Sequence, residues 1–196
     1  MFRSRCFGCA AVSLVLSSAV FMEDGRCAEP PSGEHAATEK SLTIPGEFSV
    51  GVPAEGYQWK LVREVEHQGK KIRWYGCTKE GERAVIVLVI EPRVAKTDAE
   101  RTASLKGHYN GMLKAYTDSG IKIAKVRQPS LKTPIPERNS FGLAGENPAT
   151  GEDVYVDGFV VFGRAIYAFQ AVTVSTEQQQ EFRAAIKSFK ELSPRE

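Results

Sequence analysis

The sequence is poor in the residues that build metal centres, disulfides and nucleophilic sites. Of its 196 residues, four are cysteines and three are histidines. It contains no H-E-x-x-H, paired C-x-x-C or G-x-S-x-G pattern, and no phosphate-binding glycine loop that follows a strand. We therefore expect no metal, no cofactor and no catalytic residue, and we predict that the protein is not an enzyme.

A strong charge of one sign is also lacking. The 26 basic and 24 acidic residues leave a formal net charge of +2, and removal of the first 27 residues would leave +1. Proteins that bind nucleic acid neutralise many phosphates with a strongly basic face. The charge balance therefore gives no reason to expect a nucleic-acid partner.

The N-terminus has the three-part pattern of a secretory signal peptide. Arg3 and Arg5 precede an uncharged run over residues 6–22, and Glu23 and Asp24 end it. A membrane-spanning helix needs about 20 strongly apolar residues, whereas this run is shorter and contains three serines. We predict a cleaved signal peptide and a periplasmic or secreted protein without a stable membrane span. The alternative is anchoring to the membrane by an uncleaved N-terminus.

The predicted domain organisation follows from the leader. Two small-x-small cleavage sites fit, at residues 17–19 and 25–27, and the later one makes residues 1–27 the signal peptide. Residues 28–40 are small, polar and proline-bearing, which is typical of a flexible tether. We predict one domain over residues 41–192 and a tail over 193–196. Cys77 is then the lone cysteine of the domain, so no internal disulfide is expected.

A β-hairpin is predicted around the turn Gln68-Gly69. This turn pairs apolar residues on one face of the hairpin and opposite charges on the other, and a slip by one residue would lose all of these pairs. A second turn at Glu80-Gly81 would place Cys77 beside Ala84 in the interior of the sheet. The pairs across the first turn are Val65 with Ile72, Glu66 with Lys71, and Glu64 with Arg73.

Residues 84–90 form the most informative segment, because this predicted strand has no polar residue on either face. Such a strand must be covered on both faces. Two further strands, residues 154–162 and 165–172, are joined by Gly163-Arg164, which fits a two-residue hairpin loop. One helix follows a capping box at Thr97 to Glu100, and another begins near Ser175 or Thr176. The order predicts an α+β fold, a three-layer α/β/α sandwich with a central, mainly antiparallel sheet.

The opening and closing segments of the domain resemble the PsbP-like domains of oxygen-evolving-complex subunits and their bacterial relatives. The opening is Phe-x-Val-x-Val-Pro at residues 48–53 with Trp59 just beyond it, and the closing segment is residues 181–189. The resemblance spans about residues 48–192. It implies an α/β/α sandwich and an exported, non-catalytic accessory or binding domain. The metal-binding and photosystem-docking residues of the family have no clear match here, so no site is carried over.

The residues most able to carry chemistry have structural interpretations. His108 has no histidine or carboxylate four residues away, so a zinc site is not predicted. Cys77 is expected to be a buried core thiol rather than a nucleophile paired with His108. Adjacent carboxylates in a strand point to opposite faces, and the tryptophans are expected to pack in the core on the apolar side of the hairpin. His35 and His67 likewise lack zinc-ligand spacing, the adjacent carboxylates are Glu152 and Asp153, and the tryptophans are Trp59 and Trp74.

A loosely basic stretch follows the first predicted helix. Its simplest interpretation is a solvated face, and contact with an anion or a polysaccharide is the alternative. It consists of Lys122, Lys125, Arg127, Lys132 and Arg138.

The sequence favours a non-catalytic binding or accessory domain of the cell envelope, whose partner is an envelope protein or a small ligand. Two alternatives stay open. One is an extracytoplasmic hydrolase with a pocket along residues 129–148, between Pro129 and Pro148. The other is a structural subunit that docks through a sheet edge, for which residues 57–65 are a candidate.

Overall fold

The computed structural model describes residues 37–38, 41–129 and 139–193. His35, Lys132 and Arg138, the signal peptide and most of the tether lie outside the described residues. The described elements are, in chain order, β1 (Ala37–Thr38), β2 (Ser41–Ile44), β3 (Phe48–Gly51), β4 (Gln58–His67), β5 (Lys70–Thr78), β6 (Val85–Glu91), α1 (Asp98–Asp118), β7 (Lys122–Arg127), β8 (Ser140–Asn147), β9 (Glu152–Phe162), β10 (Ile166–Thr173), α2 (Thr176–Lys187) and β11 (Lys190–Glu191).

Two antiparallel sheets organise the chain. The larger has seven strands in the order β4-β5-β6-β10-β9-β8-β7, and the smaller has the order β1-β2-β3-β11. Every described strand pair is antiparallel. The predicted α+β class with a central, mainly antiparallel sheet is confirmed.

Strand β6 is an interior strand of the large sheet, between β5 and β10, and is buried on both faces, as predicted. On one face, Val87 and Val89 pack in a cluster with Leu105 and Met112 of α1. On the other face, Leu88 belongs to a cluster completed by α2 and by the small sheet. The three-layer sandwich is therefore confirmed, and its third layer is partly helix and partly sheet.

The predicted register of the first hairpin is confirmed, with Val65 opposite Ile72 and Glu64 opposite Arg73. Cys77, however, lies opposite Ile86 and not beside Ala84. The reason is that the connection over residues 79–84 is longer than a tight turn at Glu80-Gly81. A shift by two residues leaves each side chain on its original face, and Cys77 is fully buried.

The two tryptophans are both buried, but they lie on opposite faces of the sheet. Trp59 belongs to the cluster under α2, and Trp74 to the cluster under α1. The cause is a β-bulge at Val62, where the pairing of β4 with β5 shifts by one residue. A bulge reverses the side-chain alternation beyond it. The prediction of core packing is confirmed, and the prediction of a single apolar side is wrong.

The hairpin between β9 and β10 has a three-residue loop, because Phe162 pairs with Ile166. The predicted two-residue loop is wrong. Gly163 lies close to the C-terminal strand, since a Cβ there would lie 2.4–2.5 Å from the Glu191 carboxylate. Glu191 accepts a hydrogen bond from the Arg164 backbone N–H at 2.9 Å, and the Arg164 guanidinium donates to the carbonyl of Leu192. The loop thereby holds the C-terminal strand in place.

We predict that Gly158→Ala lowers the free energy of unfolding by about 1–3 kcal/mol, because overpacking of a buried strand forces side chains out of place. A Cβ at Gly158 would lie 2.0–2.5 Å from carbons of the Phe141 ring. Gly76→Ala is the control, because its Cβ would meet one described atom, the Val62 Cγ2 at 3.0 Å, on an exposed side chain that can rotate. Urea unfolding measures both variants, and equal stabilities would contradict the prediction.

Candidate binding face on the open end of the sheet

The large sheet has one end that α2 leaves open. On its own side of the sheet, α2 packs on β10 and β9 and contacts β3. The strand β7 is almost entirely exposed, and Ala144 of β8 and Tyr155 of β9 are partly exposed. We call this surface the open face. It contains a shallow depression of about 300 Å³ lined by Lys122, Ile123, Ala124, Ala144, Gly145, Glu146, Asp153 and Tyr155.

A second β-bulge determines which side chains the open face presents. In β7 the pairing with β8 shifts between Ile123 and Lys125. Beyond the shift, Lys125 pairs with Ala144 and Arg127 with Gly142, on the same face as the pair of Lys122 with Glu146. Without the bulge, strict alternation would send Lys125 and Arg127 to the opposite face. Three basic side chains of one strand therefore share the open face.

At the boundary with α2, two arginines converge on one buried carboxylate. Arg127 Nη2 donates to Asp157 Oδ1 at 2.8 Å. Arg183 of α2 donates through Nε to Oδ2 at 2.9 Å and through Nη2 to Oδ1 at 3.0 Å. The Asp157 side chain is 4% exposed, whereas those of Arg127 and Arg183 are 49% and 39% exposed. We call these three residues the Asp157 triad.

The backbone of β8 makes the triad possible. Gly142 lies between Arg127 and Asp157 in the sheet, paired with both. A Cβ at Gly142 would lie 2.7 Å from the Val156 carbonyl oxygen and 3.3 Å from Arg127 Nη2. The missing side chain lets the Arg127 guanidinium pass over β8 to reach Asp157.

At the other end of the open face, the Tyr155 hydroxyl donates to Asp153 Oδ2 at 3.3 Å. The negative charge of Asp153 raises the pKa of Tyr155. The hydroxyl is therefore protonated at neutral pH and is a hydrogen-bond donor. Its ring provides a flat apolar surface beside Ala144.

A polar cluster that the sequence did not predict lies between β6 and α1. His108 Nε2 is 3.3 Å from Glu91 Oε1, and Arg93 Nε donates to Glu91 Oε2 at 2.7 Å. Arg93 also donates to Ser104 Oγ at 3.3 Å. Burial raises the pKa of Glu91, but His108 and Arg93 outweigh it and lower that pKa to about 2. The sequence did not predict this pair because Glu91 is at the end of a strand and His108 is in the middle of a helix. Only the packing of α1 on the sheet brings them together.

The structure places the other residues singled out in the sequence as follows. Cys77 is buried, and burial raises the pKa of its thiol to about 12. Glu152 and Asp153 are exposed, and Glu152 forms a surface ion pair with Arg83. His67 is exposed at the end of β4, an edge strand of the large sheet. Lys122, Lys125 and Arg127 lie together on the open face.

Two properties of the described ranges bear on the site. Between residues 41 and 193, without 130–138, no group of three or more histidine, cysteine or carboxylate side chains is arranged to hold a metal ion. No helix in the described part of the chain is long and apolar enough to cross a membrane.

No protein-family model matches the chain, and no curated protein matches its sequence. Among solved structures, the chain is similar to the crystal structure of LpqN, described as involved in cell envelope biogenesis of Mycobacterium tuberculosis. The identity is 15%, the TM-score is 0.33, and the similarity covers 81% of this chain and 92% of that chain. At this level the similarity carries no argument about function.

We predict that the charge of Glu91 makes the fold acid-sensitive in a defined pH range. Because the pKa of Glu91 in the folded protein is about 2 and its ordinary value is 4.5, its contribution is complete above about pH 4.5. It is lost as the pH falls towards 2. The free energy of unfolding should fall more steeply over this range in the unmodified protein than in Glu91→Gln. The control is Glu152→Gln, whose free energy of unfolding should fall with pH as steeply as that of the unmodified protein. Equal slopes for all three proteins would contradict the prediction.

We also predict that the Cys77 thiol does not react with iodoacetamide at pH 8 in the folded protein, because the thiolate is the reactive form. After unfolding in urea it should react at the rate of an exposed cysteine. Peptide mapping by mass spectrometry locates the modification. Rapid alkylation of Cys77 in the native state would show that the thiol is accessible.

Proposed function

We propose that this protein is an exported, non-catalytic binding or accessory domain of the cell envelope, and that it binds its ligand through the open face. The observation that carries the proposal is the open face itself. It combines a depression, a partly exposed tyrosine and basic side chains that a bulge brings to one side of the sheet. Binding sites are concave surfaces that join apolar area to a few placed polar groups.

Export is supported by the sequence. The basic start, the short uncharged run and the small residues that follow have the pattern of a signal peptide. A periplasmic or secreted location would place the open face among envelope polymers, lipids and proteins.

The arrangement of the buried polar groups supports a non-catalytic role. A serine nucleophile needs a base within hydrogen-bond reach and access to substrate. Ser104 and His108 lie one helical turn apart, but Ser104 Oγ accepts from Arg93 and His108 faces Glu91. Both residues belong to the buried side of α1 and are 7% exposed. The arrangement suits a structural network.

We further propose that the domain is PsbP-like. The proposal is supported by the layer order, with a sheet between α1 and α2. The opening and closing segments that resemble the family also pack together. Phe48 and Val50 of β3 and Phe182 of α2 belong to one core cluster.

The edge strand β4 is less favourable as a docking element. It is ten residues long, but a bulge interrupts it and four charged residues, Lys60, Arg63, Glu64 and Glu66, are distributed along it. Bulges and charges are the means by which proteins block strand addition.

The test is retention of envelope components by the exported protein and by charge-reversed variants. We predict that Lys122→Glu with Lys125→Glu lowers the amount of retained ligand by about tenfold, because two rim charges together contribute about 1–2 kcal/mol. The matched control is Lys70→Glu with Lys106→Glu, which makes the same charge change at exposed positions away from the open face. Equal loss in both variants, or turnover of a substrate by the unmodified protein, would overturn the proposal.

A further inference from the structure

We infer that Arg127 and Arg183 of the Asp157 triad bind one oxyanion of the ligand, a carboxylate or a phosphate group. The inference rests on the proposed function, since it specifies the ligand chemistry at the α2 end of the open face. It assigns to the two arginines a role beyond the attachment of α2 to the sheet.

The first argument is the charge balance of the triad. One carboxylate faces two guanidinium groups, so the triad carries one surplus positive charge. The neighbouring side chain on the same face of β7 is Lys125, which adds a second positive charge. The acidic residues of the open face, Glu146 and Asp153, lie at the far end, beside Lys122 and Tyr155.

The second argument is the number of hydrogen-bond donors that the triad presents. Arg183 uses Nε and Nη2 for Asp157. Arg127 uses Nη2 for Asp157 and the Phe141 carbonyl, and Nη1 for Ser140 Oγ. Nη1 of Arg183 and Nε of Arg127 therefore have no acceptor among the described residues. Guanidinium groups bind carboxylates and phosphates through paired, directed N–H donors.

The third argument is preorganisation. Arginine side chains lose much rotamer freedom when they bind a ligand, and a fixed guanidinium avoids most of that loss. Here both guanidinium groups donate to the same oxygen, Asp157 Oδ1, at 2.8 and 3.0 Å, while about two fifths or more of each side chain is exposed. The buried carboxylate holds the pair in place, and both side chains remain partly exposed.

The Glu91 cluster is an arrangement of the same kind with fewer exposed basic side chains. It also has one carboxylate and two basic partners, His108 and Arg93. His108 is 7% exposed and Ser104 occupies Arg93 Nη2. Only one basic side chain of this cluster is therefore exposed, that of Arg93 at 51%, whereas both arginines of the Asp157 triad are partly exposed.

The test is a titration of the full exported protein with small anions, observed through the Nε–Hε NMR signals of its arginines. The probes are sodium phosphate and sodium glucuronate, with glucose and sodium chloride at matched ionic strength as controls. We expect saturable shifts for Arg127 and Arg183 and none for Arg101, which lies on α1 in the opposite layer. A response to phosphate or to glucuronate alone identifies the preferred oxyanion.

Arg183→Lys and Arg127→Lys should each weaken anion binding by about tenfold or more, the effect of losing one charge-assisted hydrogen bond. Both variants keep the positive charge beside Asp157, so the fold is retained, and Arg101→Lys is the matched control. The inference would be overturned if the NMR shifts grew linearly with anion concentration and sodium chloride produced shifts of the same size. Unchanged anion affinity in both lysine variants would also overturn it. If an envelope component is retained but no anion binds at this pair, the inference fails and the proposed function stands. If anions bind saturably but no envelope component is retained, the inference stands and the proposed function fails.

Discussion

The double-sided burial of β6 is the constraint on which the rest of the structure depends. A strand with apolar side chains on both faces leaves the two clusters of the core on either side of one sheet. Each cluster then needs its own cover, which α1 provides on one side. On the other side α2 is only 12 residues long, so the small sheet must cover β4, β5 and β6. Neither cover extends over β7 and β8 on that side. The open face is thus a consequence of how a short helix and a small sheet share one layer.

The sequence predicted the features that depend on local pattern. The apolar run at residues 84–90 required a central strand, and the charge pairs across Gln68-Gly69 determined the register of the first hairpin. The capping box at Thr97 is formed as predicted. What the sequence did not predict were the positions of the two bulges. A bulge inserts one residue into an alternating pattern that otherwise continues unchanged, and so the faces of Trp59 and Lys125 could not be assigned from alternation alone.

In the candidate site, too, local patterns were predictable and contacts between distant segments were not. The sequence identified Lys122, Lys125 and Arg127 as a basic group, but it could not show that Asp157 lies beneath them or that Arg183 joins from α2. These contacts link residues 26 or 30 positions apart. They depend on Gly142, whose role is visible only when β7, β8 and β9 lie side by side. The pairing of Glu91 with His108 was missed for the same reason, because a spacing rule along one helix contains no information about the end of a strand.

Two carboxylates that are largely withdrawn from water, Glu91 and Asp157, have partners that differ in exposure. Removing a carboxylate from water is costly unless charged partners compensate for it, and both Glu91 and Asp157 meet that cost with two basic groups. At Glu91 one partner, His108, is 7% exposed between β6 and α1, and the other, Arg93, has an exposed side chain. At Asp157 the partners come from β7 and α2, the two elements that border the open face, and they are partly exposed. The ion pairs of Arg127 and Arg183 with Asp157, which attach α2 to the sheet, leave one surplus positive charge at the α2 end of the open face. A ligand with an acidic group would complete the neutralisation that Asp157 begins.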